Sequence, residues 1–190
     1  MSIDPRSYTY PDNILKDRII LITGATDGIG HALAVHAASL GAQILLHGRN
    51  VTKLEKVYDE IEAIDGAPRP SIAVVDLESA NSESYTSLAS SVDAEFGRLD
   101  GLVLNAGILG DRFSIDQYDA LQWQKVMHVN VTSVFAMTQV LLPLLQLADD
   151  PSIIYTSSGV GRRGKAFWGA YAVSKFAVEG PVSYTHLRAH

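Results

Sequence analysis

Tyr171 and Lys175 stand four residues apart in "GAYAVSKFAVEG", on one face of a segment that reads as helix. A phenol ionises near pH ~10 and is a weak acid-base group at neutrality. A neighbouring ammonium and a helix N-terminus both favour its phenolate form. Such a tyrosine can pass a proton to or from an alcohol or carbonyl oxygen. By itself Tyr-x-x-x-Lys is also what a solvated helix face looks like. Ser158, in "TSSGVG", adds to it, because it ends an apolar run that reads as a strand. Its hydroxyl could hold the same substrate oxygen.

A second chemistry-bearing stretch is "TGATDGIG", Thr23 to Gly30, between an apolar run and a helical one. Glycines here let backbone approach a pyrophosphate, and a helix N-terminus offers free N–H groups and the positive end of a dipole. The candidate contacts are Gly24, Thr26, Asp27, Gly28, Ile29 and Gly30. Glycines also punctuate any tight strand-to-helix turn, but the setting favours a dinucleotide. No Gly-Lys-[Ser/Thr] follows, which argues against a P-loop nucleotidase. At the end of the second apolar run, "LLHGRN" has Gly48 where a carboxylate would bond ribose hydroxyls, followed by Arg49. A guanidinium suits a 2′-phosphate, so NADP is the expected cofactor, with NAD possible. Asp27 would repel that phosphate if it lay close.

These groups need a scaffold, and the chain supplies a regular alternation. Strands are expected at Arg18 to Thr23, Gln43 to His47, Ser71 to Leu77, Gly101 to Gly107 and Ser152 to Ser158. Helices are expected at Gly28 to Gly41, Asn50 to Asp65, Ser82 to Phe96, about Asp119 to Ala148 in one piece or two, and from Gly169. The first helix has Ile29, Leu33, Val35 and Leu40 as its apolar positions, and the second presents Leu54, Val57, Tyr58 and Ile61 on one face. Five alternations with short connections predict an α/β fold: a doubly wound parallel sheet with helices on both faces, Rossmann-type. Ligands of such sheets bind beyond the C-terminal ends of the strands.

The 190 residues suffice for one domain, and 47% hydrophobic with 19% charged residues argues against disorder. A formal charge of -6 gives no support for nucleic-acid binding. The absence of cysteine excludes disulfides and fits a reducing, cytoplasmic setting. "MSIDPRSYTYPDN" has no apolar core of a signal peptide, and the apolar stretch Val134 to Ala148 is too short to span a bilayer. It reads as a buried or interface helix, so no membrane partner is expected. His31 and His36 lie off one helical face without a metal-site pattern, and His128 is given little weight in catalysis; no metal is expected. Arg162, Arg163 and Lys165 form a basic loop that is either solvated or borders an entrance favouring acidic substrates. Phe167 and Trp168 could wall the same pocket or pack beneath the loop.

Together, "TGATDGIG", "LNAG" (Leu104 to Gly107), Asn130 in "HVNVTS", Ser158 and "YAVSK" resemble the short-chain dehydrogenases/reductases in order and spacing. The longer phrases, such as "RLDGLVLNAGILGD" and "TSSGVGRRGKAFWGAYAVSKFAVEG", are most similar to the YciK-type group of bacterial oxidoreductases. The resemblance covers Arg18 to Gly180. It implies hydride transfer between NADP(H) and a small-molecule carbonyl or secondary alcohol. Tyr171 would be the acid/base; Lys175 would bind the nicotinamide ribose and lower the tyrosine pKa. Ser158 would orient the carbonyl, and Asn130 would hold a water in a proton relay, or else simply bond backbone at a helix kink. Asp76 and Leu77 would contact the adenine, and Asn105, Ala106 and Gly107 would line the cofactor and steady the sheet. Leu104 departs from the family's common Asn-Asn-Ala-Gly at little expected cost. The resemblance also implies a homo-oligomer, dimer or tetramer, paired through the long helix and the catalytic helix. A non-catalytic dinucleotide-binding regulator is the alternative, and an epimerase or dehydratase is disfavoured by the spacing of its glycine loop.

The domain is thus expected at 18–180, after an N-terminal extension at 1–17. Past Gly180 the family's helix continues, whereas "PVSYTHLRAH" turns at Pro181 without apolar periodicity. Those residues, 181–190, also read as a translated transposon-end sequencing adapter. The expectation is a C-terminally truncated, poorly stable and inactive chain whose longer parent enzyme is active, with His186 and His190 carrying no function.

Overall fold

The computed structural model describes the backbone of residues 9–186 and the side chains of residues 9–180. Five parallel strands, β1 (Ile19–Thr23), β2 (Gln43–Gly48), β3 (Ser71–Val74), β4 (Gly101–Leu104) and β5 (Ser152–Tyr155), pair in the order β3-β2-β1-β4-β5. Register sets Leu21 opposite both Leu45 and Leu102, and Ile22 opposite both Leu46 and Val103. Alternate strand residues therefore feed two separate cores, which is why these strands read as unbroken apolar runs. On one face Ile22, Ile44, Leu46 and Val103 pack with α1 (Gly28–Ser39) and α2 (Val51–Glu62). On the other, Leu21, Leu45, Leu102 and Leu104 pack with α3 (Ser82–Phe96) and the later helix α5 (Ser133–Leu145).

Local chemistry sets the helix ends. Asn50 caps α2 by accepting from the Lys53 N–H at 2.9 Å, and Asn81 forms a reciprocal capping box with Ser84 on α3. Gly97 closes α3 at φ +70°, a left-handed value that favours glycine. At the base of the sheet the Leu15 N–H donates to the Leu40 carbonyl at 3.1 Å, tying the N-terminal segment under the α1–β2 turn.

Three features differ from the sequence reading. First, α1 packs through Gly30, Ala34, Ala37 and Ala38, while Ile29 is 71% exposed. Small side chains let this helix lie close against the sheet, a demand of backbone distance that outweighs its sparse apolar stripe. Second, β3, β4 and β5 end earlier than their apolar runs, so Asp76, Leu77, Asn105, Ala106, Gly107 and Ser158 lie in loops beyond the strand ends. Pairing stops there because the backbone groups are claimed otherwise: the Thr156 N–H still reaches the Leu104 carbonyl, but the Thr156 carbonyl accepts from Lys175. Third, α6 (Gly169–His186) stays helical through Pro181, where the sequence reading turns the chain. A proline's φ is already helical and its missing N–H removes one bond, as happens at Pro143 within α5. The sequencing-adapter reading of residues 181–190, and that of His186 and His190, falls outside the described side chains.

The long helical region is continuous but not uniform. α4 (Ala120–Met127) runs into a π-helical turn at His128–Thr132 and then into α5. The combined run, Ala120–Leu145, has 26 residues and is long and apolar enough, by length and composition, to cross a membrane. It is thus longer than the apolar stretch alone suggests. Its inner side is core: Val126, Val129, Met137, Leu141 and Leu145 are all buried.

Candidate active site

The strand ends open onto a cleft of about 310 Å³ lined by Gly24, Thr26, Asp27, Arg49, Asp76, Leu77 and the Asn105–Ile108 segment, among others. The glycines of the loop that borders it, of which Gly24 lines the cleft, have different duties. Gly24 (φ +66°) and Gly28 (φ +53°) adopt left-handed backbone, and the space around Gly28 is open. Gly30 is ordinary in φ but tightly enclosed: a Cβ there would stand 2.7 Å from Asn105 Nδ2 and 2.9 Å from the Gly24 carbonyl carbon. Asn105 in turn donates from Nδ2 to the Thr23 carbonyl at 3.1 Å. Thr23 Oγ1 accepts from the N–H groups of Asn105 (2.9 Å) and Ala106 (3.0 Å) and donates to the Val103 carbonyl (3.3 Å). One buried hydroxyl thereby locks the β4 loop to the glycine loop. An open cradle at Gly28, beside a helix N-terminus whose first N–H groups have no intrahelical acceptor, fits a pyrophosphate.

On the β2–β3 side of the cleft, Arg49 NH1 lies 3.4 Å from Glu78 and 3.8 Å from Asp76. Glu78 also takes Lys125 Nζ at 2.6 Å. Asp27 caps α1 by accepting from the Gly28 N–H at 2.8 Å and lies 3.5 Å from Lys53. Its charge is therefore partly offset, which reduces the repulsion expected toward a phosphate. Ile29, exposed at the start of α1, is not among the residues that line the cleft.

The second half of the site is built on α6 and the π-helical turn. Lys175 is only 4% exposed, and its Nζ donates to the Thr156 carbonyl at 2.7 Å and lies 5.7 Å from the Tyr171 ring centroid. Burial pushes the ammonium of Lys175 below the usual lysine range. Asn130 sits mid-turn, where the widened helix turns its amide toward the loop after β4. It accepts from the Ile108 N–H (2.8 Å) and donates to the Ile108 carbonyl (2.8 Å) and Ser174 Oγ (3.0 Å). Two of these bonds go to the Ile108 backbone, the backbone-bonding role the sequence left open beside the water relay. A Cβ on Gly107 would meet Asn130 Oδ1 at 3.3 Å and Lys175 Nζ at 3.6 Å, so this glycine joins the two halves of the site. Ser158 caps the short 3₁₀ turn Gly159–Gly161, accepting from the Val160 N–H at 3.4 Å. Gly161 presses on the backbone of Lys175, seating that turn against the catalytic helix.

Several residues at the site were not singled out from the sequence. Glu78, in the loop after β3, joins Arg49 to Lys125 of α4, and no local pattern marks either residue. His47 is buried on β2 and lines the cleft; among the described residues neither ring nitrogen has a hydrogen-bond partner, and burial lowers its pKa to about 4. Arg112, from the β4–α4 loop, lies 5.2 Å from the Trp168 ring centroid. Of the basic loop, Arg162 pairs with Glu179 at 3.6 Å, and Lys165 turns to Trp168. His31 bonds Glu60 at 2.6 Å, and His128 lies 3.2 Å from the Ala80 carbonyl, both away from chemistry.

Comparison with known proteins matches residues 18–188 to the short chain dehydrogenase family. The chain is 46% identical over 173 residues to the oxidoreductase YciK of Escherichia coli K12, covering 91% of this chain and 68% of that protein. A short-chain dehydrogenase structure from Pseudomonas syringae superposes with a TM-score of 0.91 at 46% identity, covering 96% of this chain and 74% of the other. One from Shigella flexneri, complexed with NADP, superposes at 0.89 with 44% identity, covering 94% and 75%. A glycine cradle at a helix N-terminus, a buried lysine under a tyrosine and these likenesses converge: the chain belongs to the short-chain dehydrogenases, the NAD(P)-dependent oxidoreductases of CH–OH and C=O groups.

Proposed function

We propose that the parent enzyme, of which this chain forms the nucleotide-binding and catalytic part, reduces a small-molecule carbonyl with NADPH, or runs the reverse oxidation. The observation that carries this reading is the buried Lys175 ammonium 5.7 Å from the Tyr171 ring, next to Gly107 of the cleft lining. When bound, NADPH supplies the hydride. Tyr171 gives its phenolic proton to the developing alkoxide, and the Lys175 ammonium stabilises the phenolate left behind. Ser158 holds the substrate oxygen. Asn130 keeps the loop after β4 at its distance from α6, and its turn is the place to order a relay water. Arg49 would hold the 2′-phosphate, and an NADP complex of the Shigella flexneri relative supports that choice of cofactor.

Pairing of protomers through α5 and α6 fits the apolar side chains those helices expose, Phe135, Leu142, Val173 and Phe176. The decisive test is Tyr171→Phe in the parent enzyme. Turnover of carbonyl substrates falls by at least about a hundredfold while NADPH still binds. Undiminished turnover would remove the tyrosine from the chemistry, and a protein whose only activity is cofactor binding would be the regulator instead.

A further inference from the structure

Trp168 opens α6 and meets the Tyr171 ring edge-on at 5.9 Å between centroids. Two cations from different loops lie over the same indole. Lys165 Nζ, from the loop after β5, is 4.6 Å from its centroid, and Arg112, from the loop after β4, is 5.2 Å away. In a chain of net charge -6, exposed basic groups commonly have a carboxylate partner. Arg18, Arg49, Lys53, Arg98, Lys125 and Arg162 all do. Among the described residues Arg112 and Lys165 have none, as is also true of Lys16, Lys56 and Arg163; what sets these two apart is that they share one ring beside Tyr171.

Holding two like charges on one ring is unfavourable, and an indole face returns little to an exposed cation. An anion that reaches both offsets the repulsion and gains two charge-assisted contacts. From its position, that anion is part of whatever molecule Tyr171 is protonating. We infer that Arg112, Lys165 and Trp168 form an anion subsite, and that the carbonyl substrate carries a carboxylate that this subsite receives. This rests on the carbonyl-reductase reading above and adds to it the charge of the substrate. Arg162, held by Glu179, takes no part, although its place in the basic loop suggested otherwise.

The test compares 4-carboxybenzaldehyde with its neutral methyl ester in the parent enzyme, with NADPH as reductant. The acid is expected to have the higher kcat/KM by about tenfold, through KM, with the advantage shrinking at high salt. The double variant Arg112→Gln/Lys165→Gln raises KM for the acid and brings the two substrates together. Equal values in the unmodified enzyme, or a preference that survives the double substitution, overturn the subsite. A second readout needs no turnover. In a background where Trp123 and any further tryptophan of the parent enzyme are replaced by Phe, so that Trp168 alone fluoresces, terephthalate should quench it, and the double variant should abolish the effect. If neither aldehyde is reduced but this quenching holds, the reductase reading fails and the anion site stands. Without quenching, the anion site falls whatever the turnover.

Discussion

Gly28 and Gly30 look equivalent in the glycine loop, and the structure ranks them. An alanine at Gly28 keeps open space around its Cβ and suffers only from φ +53°, at a cost of about 1 kcal/mol. An alanine at Gly30 has an easy φ but would put its Cβ 2.7 Å from Asn105 Nδ2 and 2.9 Å from the Gly24 carbonyl carbon. The roughly 3.4 Å of an ordinary contact is reached only by moving backbone, because Asn105 is itself bonded to Thr23. Overpacking of this kind costs roughly 1–3 kcal/mol, and here it also breaks the bonds that hold the β4 loop. We expect Gly30→Ala to lose about 3 kcal/mol of stability and at least tenfold in NADPH affinity. Gly28→Ala should lose about 1 kcal/mol and bind NADPH more nearly as before. Urea unfolding and NADPH fluorescence titration of both variants in the parent enzyme decide it. Gly30→Ala matching the unmodified protein on both measures, or the reverse ranking in stability, refutes the packing account.

His47 makes stability depend on acidity. Its folded pKa, lowered by burial to about 4, lies below the ordinary value near 6.5, so the unfolded chain binds the extra proton first. Stability from this residue is full above about pH 6.5, falls as pH drops toward 4 and is flat below. At ~1.4 kcal/mol per pH unit, the loss is on the order of 3 kcal/mol. Unfolding curves from pH 7 to 4 should show a shallower decline for His47→Leu than for the unmodified protein; parallel slopes would contradict it. Glu78 holds Arg49 and Lys125 where a 2′-phosphate would bind. Exposed pairs of this kind are worth roughly 0–1 kcal/mol. Glu78→Gln is therefore expected to tighten NADPH several-fold and leave NADH unchanged, measured as the ratio of the two dissociation constants. An equal change for both cofactors would show that Glu78 does not compete for the phosphate.

Much of this protein is local, and what is local could be read from the sequence. Alternation of apolar runs with amphipathic segments specifies parallel strands and covering helices, because the strands' two-sided burial and the helices' periodicity are properties of neighbouring residues. The same holds for the glycine loop, and for Tyr171 and Lys175, whose shared face needs nothing beyond helical geometry. Chain closure decided the rest. It placed Thr23 under Asn105, Asn130 against Ile108 and Ser174, Glu78 between Arg49 and Lys125, and Arg112 over Trp168. It also buried α1 through alanines rather than its larger residues and left His47 without a partner. Each of these depends on how closely two distant segments approach, and that distance is set by the packing of the whole sheet rather than by any pattern along the chain.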